Sequence, residues 1–231
     1  MPKVTIDGHS IEVPEGTTIL QAARMIGGDI VPPAMCYYSK LKTSGGYCRT
    51  CIVKVTKGSE KDPRPMPKPV ASCRTTVMDG MEVQNITSPE ILEARAGVVE
   101  LLLLNHPLDC PVCDQAGECG LQEQYMKFGK YDPEMDQKKV KKHKVVSLGE
   151  KVVLDTERCI LCSRCVRFTD EVTKTNELHI VNRGDRSEIG TFDGKPMNNN
   201  YSLNTVDICP VGALTSKDFR FKQRVWFLKE A

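Results

Sequence analysis

The cysteines constrain this chain more than any other residue type. All eleven fall into three groups along 231 residues, with none left over. The first is Cys36, Cys48, Cys51 and Cys73: a C-x2-C pair with one cysteine 12 residues upstream and one 22 residues downstream. The second is Cys110, Cys113 and Cys119, preceded by His106, in the pattern H-x3-C-x2-C-x5-C. The third is the run C-x2-C-x2-C at Cys159, Cys162 and Cys165, with Cys209-Pro210 far downstream. Structural cysteines acting as small apolar residues would be scattered, and an odd count fits poorly with full disulfide pairing. The opening Met1-Pro2-Lys3-Val4 lacks the apolar core of a signal peptide. The longest apolar stretch, near Val98 to Leu104, is broken by Glu100 and falls far short of the ~20 residues of a membrane span. The chain reads as one in a reducing compartment, its thiols free to bind metal.

Thiolates are soft ligands, and four converging on one site select zinc or an iron–sulfur cluster. In the third group, three cysteines at steps of three and a remote Cys-Pro form the bacterial-ferredoxin pattern for a [4Fe–4S] cluster. The first group approaches the plant-type [2Fe–2S] pattern, C-x4-C-x2-C…C, but its first gap is x11. Gly45 and Gly46 lie in that gap, where backbone N–H groups could approach sulfur without a Cβ in the way; a zinc ribbon is the competing reading. The second group suits zinc as well as a cluster, and His106 also fits an ordinary helix-end histidine.

Other chemistry finds little support. Lys+Arg 32 against Asp+Glu 30 gives a net charge of +2, which argues against nucleic-acid binding by bulk positive charge. With 40% hydrophobic and 27% charged residues the chain is an ordinary globular one, not a disordered one. No glycine-rich dinucleotide fingerprint follows a strand, and no Ser-His-Asp arrangement can be argued. A thiol–disulfide role for Cys48-x2-Cys51 is weak, because a strand pattern rather than a helix follows it.

The chain divides at residues 1–87, 88–144 and 145–231. In the first part, Val4–Ile6 and Ile11–Val13 flank Asp7-Gly8-His9-Ser10 as a hairpin. Thr17 or Thr18 caps a helix carrying Ile19 to Ile26, closed by Gly27-Gly28. Strands follow at Cys51–Thr56, Val70–Cys73 and Met81–Val83, making a small α+β domain. The second part is helical, with Ser88 as N-cap, Pro89 at the first position and an apolar face up to Asn105, then a helix from Gly120 to Phe128. Five lysines between Lys138 and Lys144 read as a solvated linker. The third part has extended runs at Val152–Leu154, His179–Val181 and Glu188–Thr191.

The stretch His106-Pro-Leu-Asp-Cys-Pro-Val-Cys-Asp-Gln-Ala-Gly-Glu-Cys119 resembles the one-histidine, three-cysteine motif of the 75-kDa/NuoG-type family of iron–sulfur subunits of complex I, NADH:quinone oxidoreductase. Arg158-Cys-Ile-Leu-Cys-Ser-Arg-Cys-Val-Arg-Phe168 and Ile208-Cys-Pro-Val-Gly-Ala-Leu-Thr-Ser-Lys217 are similar to that family's next site, and the order matches along the chain. The resemblance implies a plant-type ferredoxin-like (β-grasp) domain with [2Fe–2S] on Cys36, Cys48, Cys51 and Cys73. It implies a helical segment with [4Fe–4S] on His106, Cys110, Cys113 and Cys119, and a bacterial-ferredoxin-like domain with [4Fe–4S] on Cys159, Cys162, Cys165 and Cys209. It further implies an electron-relay subunit with no substrate site of its own. Its partners would be a flavin subunit that oxidises NADH and other iron–sulfur subunits, and its place peripheral, on the cytoplasmic side of an inner membrane or the matrix side in an organelle.

The family's usual large molybdopterin-oxidoreductase-like region does not follow here, which reads as a short form or a piece of a longer chain. Relay subunits of NAD-linked hydrogenases or formate dehydrogenases are the nearest alternative. The hydrogenase relatives commonly carry a second C-x2-C-x2-C-x3-C-P run, of which only Cys209-Pro210 is present. A zinc-stabilised interaction module is the alternative of a different class. Arg49, Arg164 and Arg167 flank ligand positions and are expected either to bias their centres toward reduction or to face solvent or a partner.

Overall fold

The computed structural model describes residues 1–132, 134–192 and 195–228; the expected end of the third domain at Ala231 lies outside them. The opening hairpin is tighter than the sequence suggests. β1 (Lys3–Ile6) and β2 (His9–Glu12) are joined by Asp7-Gly8 alone, and His9 and Ser10 already pair with Ile6 and Thr5. Asp7 and Gly8 have φ of 46° and 84°, the positive values a two-residue turn needs to match strand twist. The expected four-residue turn and a second strand reaching Val13 are therefore corrected.

α1 (Ile19–Ile26) starts at Thr18, not Thr17: the Thr18 hydroxyl accepts from the Gln21 amide, and the Gln21 side chain accepts from the Thr18 amide. This reciprocal pair satisfies two orphan donors of the first turn. β3 (Ile52–Lys57), β4 (Val70–Ala71) and β5 (Met81–Gln84) complete a five-stranded sheet of order β2-β1-β5-β3-β4, in which only β1 and β5 run parallel. α1 buries Ile19, Ala22 and Ala23 against Val4, Ile6, Val55 and Val83 of the sheet, as the alternating apolar pattern of the strands requires.

α2 (Pro89–Leu103) has Ser88 at its N-cap position, but the serine side chain makes no cap bond. The helix stops at Leu103, short of the expected Asn105, and Lys139 Nζ donates to the Leu103 and Leu104 carbonyls, both at 2.9 Å. Carbonyls at a helix end lack intrahelical partners, so Lys139 acts as a side-chain cap. The reading of Lys138–Lys144 as a solvated linker is corrected. Lys142 Nζ also donates to the Ser187 carbonyl, and Lys144 pairs with Asp109 and Glu157. α3 (Gly120–Phe128) packs beside α2 and ends where Gly129 N donates to the Tyr125 carbonyl.

The last part holds a small sheet of β6 (Val146–Ser147), β7 (Val152–Leu154) and β10 (Leu214–Ser216), ordered β10-β7-β6. Between β7 and β10 come α4 (Arg164–Glu171), the hairpin of β8 (His179–Val181) and β9 (Glu188–Gly190), and α5 (Asn204–Asp207). The expected strand through Thr191 stops one residue earlier.

One apolar cluster joins the three parts. It contains Met35, Cys36 and Cys48 from the first, Cys119 and Leu121 from the second, and Cys162, Cys165, Leu154 and Leu214 from the third. At least one cysteine of each group thus faces a shared interior, while Cys51 and Cys73 pack with Leu20 and Ala71. Among the described residues no helix is long and apolar enough to cross a membrane.

Candidate metal centres

The four thiols of the first group are all buried. Cys36 acts on the titration of Cys48 and Cys73, and Cys73 and Cys51 act on each other, so the four thiols are electrostatic neighbours. Cys36 N donates to Cys48 Sγ at 3.4 Å, and the Thr50 hydroxyl lies 3.2 Å from the same sulfur. The bond to Cys36 and then burial push the Cys48 thiol up, while the bond from Cys73 holds Cys51 below the usual thiol range. The long x11 gap has a use that the spacing did not reveal: it is where α4 docks. Arg167 donates to the Cys36 and Thr43 carbonyls, Arg164 to Ala34 and Tyr37, and the Glu171 carboxylate accepts from the Lys42 and Thr43 amides. Gly45 and Gly46 serve sterics in this loop: a Cβ at Gly45 would lie 1.9 Å from the Tyr47 ring, and Gly46 has φ of 65°.

Cys159, Cys162, Cys165 and Cys209 line one small cavity of about 20 Å³, walled by Leu154, Ile160, Ile189, Val211, Ala213 and Leu214. Leu161 and Ser163 adopt positive φ, 53° and 63°, and so turn the run around the cavity. Burial pushes Cys159 up to about 12 and raises Cys162, Cys165 and Cys209 as well. Four thiols facing so apolar a space lose their protons readily only to a group that brings positive charge.

His106, Cys110, Cys113 and Cys119 line a larger cavity of about 730 Å³. Cys113 and Cys119 are buried and Cys110 is exposed. Burial, and then the positive Lys139 and Arg158, lower the His106 ring to about 4, so it is a neutral imidazole, the form that binds metal. Its Nδ1 is buried without a hydrogen-bond partner. Beneath this site Arg158 reaches Asp109 at 3.0 Å and Asp155 at 3.3 Å.

The loop after Cys209 touches the second centre, and Arg164 ties the residue before Cys209 to the loop of the first. Gly120 N, next to Cys119, donates to the Pro210 carbonyl at 3.1 Å. A Cβ on Gly212 would lie 2.2 Å from Cys113 Sγ. Arg164 joins the Ile208 carbonyl, at 3.1 Å, to the Tyr37 carbonyl, at 2.7 Å. Of the three arginines picked out in the sequence, Arg164 bonds backbone at this junction, Arg167 bonds the Cys36 and Thr43 carbonyls of the first centre's loop, and Arg49 is exposed. Sequence reasoning missed Gly212, Arg158 and Arg95. A signal for Arg95 exists: it lies on the stripe Ile91, Arg95, Val99, all fully buried, where a cation is out of place on an otherwise apolar face.

All twelve expected ligands lie at these three places. Among the described residues no three His, Cys, Asp or Glu side chains are close enough together to hold a single metal ion. Mostly buried thiols gathered around cavities and a neutral histidine with an orphaned ring nitrogen form a donor set that fits iron–sulfur clusters, with Gly212 leaving room at the Cys113 sulfur.

Comparison with known proteins adds three family matches in chain order. Residues 2–88 match a 2Fe-2S iron-sulfur cluster binding domain, 95–133 the NADH-ubiquinone oxidoreductase-G iron-sulfur binding region, and 149–215 the ferredoxin-like domain of NADH-quinone oxidoreductase subunit 3. The chain is 47% identical over 230 residues to a mitochondrial NADH dehydrogenase (ubiquinone) iron-sulfur protein 1 from Solanum tuberosum, covering 98% of this chain and 29% of that protein. It is 44% identical over 236 residues to an NADH-ubiquinone oxidoreductase 75 kDa subunit from Reclinomonas americana, covering 99% of this chain and 31% of that one. The chain thus spans less than a third of the length of these relatives. A chain of an NAD+-reducing [NiFe]-hydrogenase, solved in its H2-reduced state, superimposes with a TM-score of 0.80 at 26% identity, covering 97% of this chain and 91% of that one.

Proposed function

Since the chain belongs to the family of 75-kDa iron–sulfur subunits of NADH-quinone oxidoreductase, we propose that it is an electron-relay subunit of that enzyme, carrying electrons from an NADH-oxidising flavin subunit toward quinone. In this reading Cys36, Cys48, Cys51 and Cys73 hold one [2Fe–2S] cluster. His106, Cys110, Cys113 and Cys119 hold one [4Fe–4S] cluster, and Cys159, Cys162, Cys165 and Cys209 a second. The domains divide at residues 87 and 144. When bound, the clusters supply one-electron donors and acceptors whose potentials follow ligand type, nearby charge and hydrogen bonding.

The observation that carries this reading is the junction at 208–212. A zinc module needs three independent stable sites and gains nothing from their adjacency. Here one loop supplies a ligand to the third site, backs onto a ligand of the second, and is tied through Arg164 to the loop of the first. The chain's own residues do the rest. Apolar walls exclude water, the His106 ring stays neutral, and buried arginines hold the loops in register. The flavin subunit and the other iron–sulfur subunits would meet this chain at its surface, on the cytoplasmic or matrix side of the membrane.

A relay subunit of an NAD-linked hydrogenase is the second reading, favoured by the structural match to such an enzyme. The higher identity of the NADH-ubiquinone oxidoreductase relatives favours the first. Iron and zinc analysis of anaerobically purified protein, with visible and EPR spectra, tests the proposal. About ten irons with brown colour and reducible paramagnetic signals are expected; about three zincs and no colour would end it.

A further inference from the structure

We infer that Arg95 is a positioning residue of the first centre, a buried cation left unpaired by the chain so that it offsets the negative charge held by Cys36, Cys48, Cys51 and Cys73. The inference rests on reading that centre as a [2Fe–2S] cluster.

Arg95 is fully buried in the middle of α2. Its Nε donates to the Thr50 carbonyl at 3.1 Å, and its Nη2 to the Ile52 carbonyl at 3.0 Å and to Asn85 Oδ1. Those two carbonyls belong to the residues on either side of the ligand Cys51. Nη1 is buried with no partner, and the Phe128 ring lies 4.8 Å from the guanidinium carbon. Among the described residues every hydrogen-bond partner of Arg95 is therefore neutral. Asp7 faces the same region, but its carboxylate is taken up by the amides of Asn85, Ile86 and Thr87. Arg167, the other buried arginine against this loop, differs: it lies beside Glu171.

An uncompensated buried charge is among the costliest things a fold can contain. The stripe it sits on is apolar, so an aliphatic side chain would avoid that cost. A [2Fe–2S] cluster, with two ferric ions, two sulfides and four thiolates, carries a net charge of about −2 and would supply the missing anion beside Cys51. Reduction adds a further electron, so a fixed cation there favours the reduced state.

The test is an EPR-monitored redox titration of the anaerobically loaded chain in three variants. Arg95→Gln keeps amide donors and removes the charge. Asn85→Asp leaves the guanidinium in place and neutralises it. Arg95→Lys keeps the charge. In the first two, the first centre should become harder to reduce by about tenfold in its oxidised-to-reduced ratio, about 59 mV for one electron. Arg95→Lys should stay near the parent, and the third centre should not move. An unchanged first-centre potential in Asn85→Asp overturns the inference even if Arg95→Gln fails to fold. A parent with no [2Fe–2S] signal overturns the reading of the site, and the inference with it, which is a separate and distinguishable result.

Discussion

Gly212 stands directly against the Cys113 sulfur: a Cβ built on this glycine would lie 2.2 Å from Cys113 Sγ and 3.1 Å from the Gln115 Cβ. The two residues belong to different cysteine groups, and no rule of spacing links them. A contact below 3 Å cannot be accommodated without moving the ligand or the loop.

Gly212→Ala should therefore damage the second centre although it lies in the motif of the third. Overpacking of this kind costs about 1–3 kcal/mol. The expected result is loss or broadening of the EPR signal of the His106 centre, with that of the Cys159 centre retained. Two intact signals would show that the loop yields freely.

Arg164 joins the Ile208, Ala34 and Tyr37 carbonyls. Arg164→Met removes all three donors, and leaving buried acceptors unsatisfied costs about 1–3 kcal/mol. Thermal unfolding of the loaded protein should fall, and both the first and third centres should become harder to reduce. Redox titration of the variant checks the second part; unmoved potentials would leave Arg164 a purely mechanical tie.

Lys139 occupies the C-terminus of α2 from a distant part of the chain. Lys139→Met should cost about 1 kcal/mol, read by chemical denaturation, and should increase hydrogen exchange in the last turn of the helix. Lys138→Met, which has no such contact among the described residues, should cost little.

The Glu171 carboxylate gives a pH-dependent contact. Burial raises its affinity for a proton, but the bond from the Thr43 hydroxyl and the amides of Lys42 and Thr43 outweigh this and hold it below the usual value of 4.5. A carboxyl with a depressed folded value stabilises the fold above its unfolded value and loses that contribution as pH falls through the folded one. Glu171→Gln should thus destabilise at neutral pH, and the difference from the parent should shrink as pH drops below about 4.5. A constant difference down to about pH 3 would count against the account.

Removing metal should loosen the third part first. Cys159, Cys162, Cys165 and Cys209 line one small cavity among apolar side chains, and a pocket of thiols is a poor core unless a metal fills it. Cys162→Ser should lose both the centre and local order, visible as faster exchange of the Leu154 and Leu214 amides.

The local elements were legible because local chemistry makes them. A hairpin at Asp7-Gly8, a helix capped at Thr17 or Thr18, and the stop at Gly129 each depend on residues within a few positions. That His106 and three cysteines line one cavity was legible for the same reason, since they recur at short steps. The turn of the hairpin was read two residues too long because several turn lengths suit the same residues, and only the pairing of His9 with Ile6 and Ser10 with Thr5 chooses between them. The lysine run was misjudged because a charge count says nothing of the carbonyls waiting at the end of α2.

The amino-acid sequence by itself marked His106 and the eleven cysteines as side chains chemically able to bind metal, and sorted them into three groups; spacing along the chain carries that information. Only the tertiary structure decided how the groups meet: Gly212 on Cys113, Arg164 between Tyr37 and Ile208, Arg95 beside Cys51. Those pairs lie far apart along the chain, and they are chosen by the burial of shared apolar surface and by the need of buried carbonyls for donors, neither of which leaves a period in the sequence.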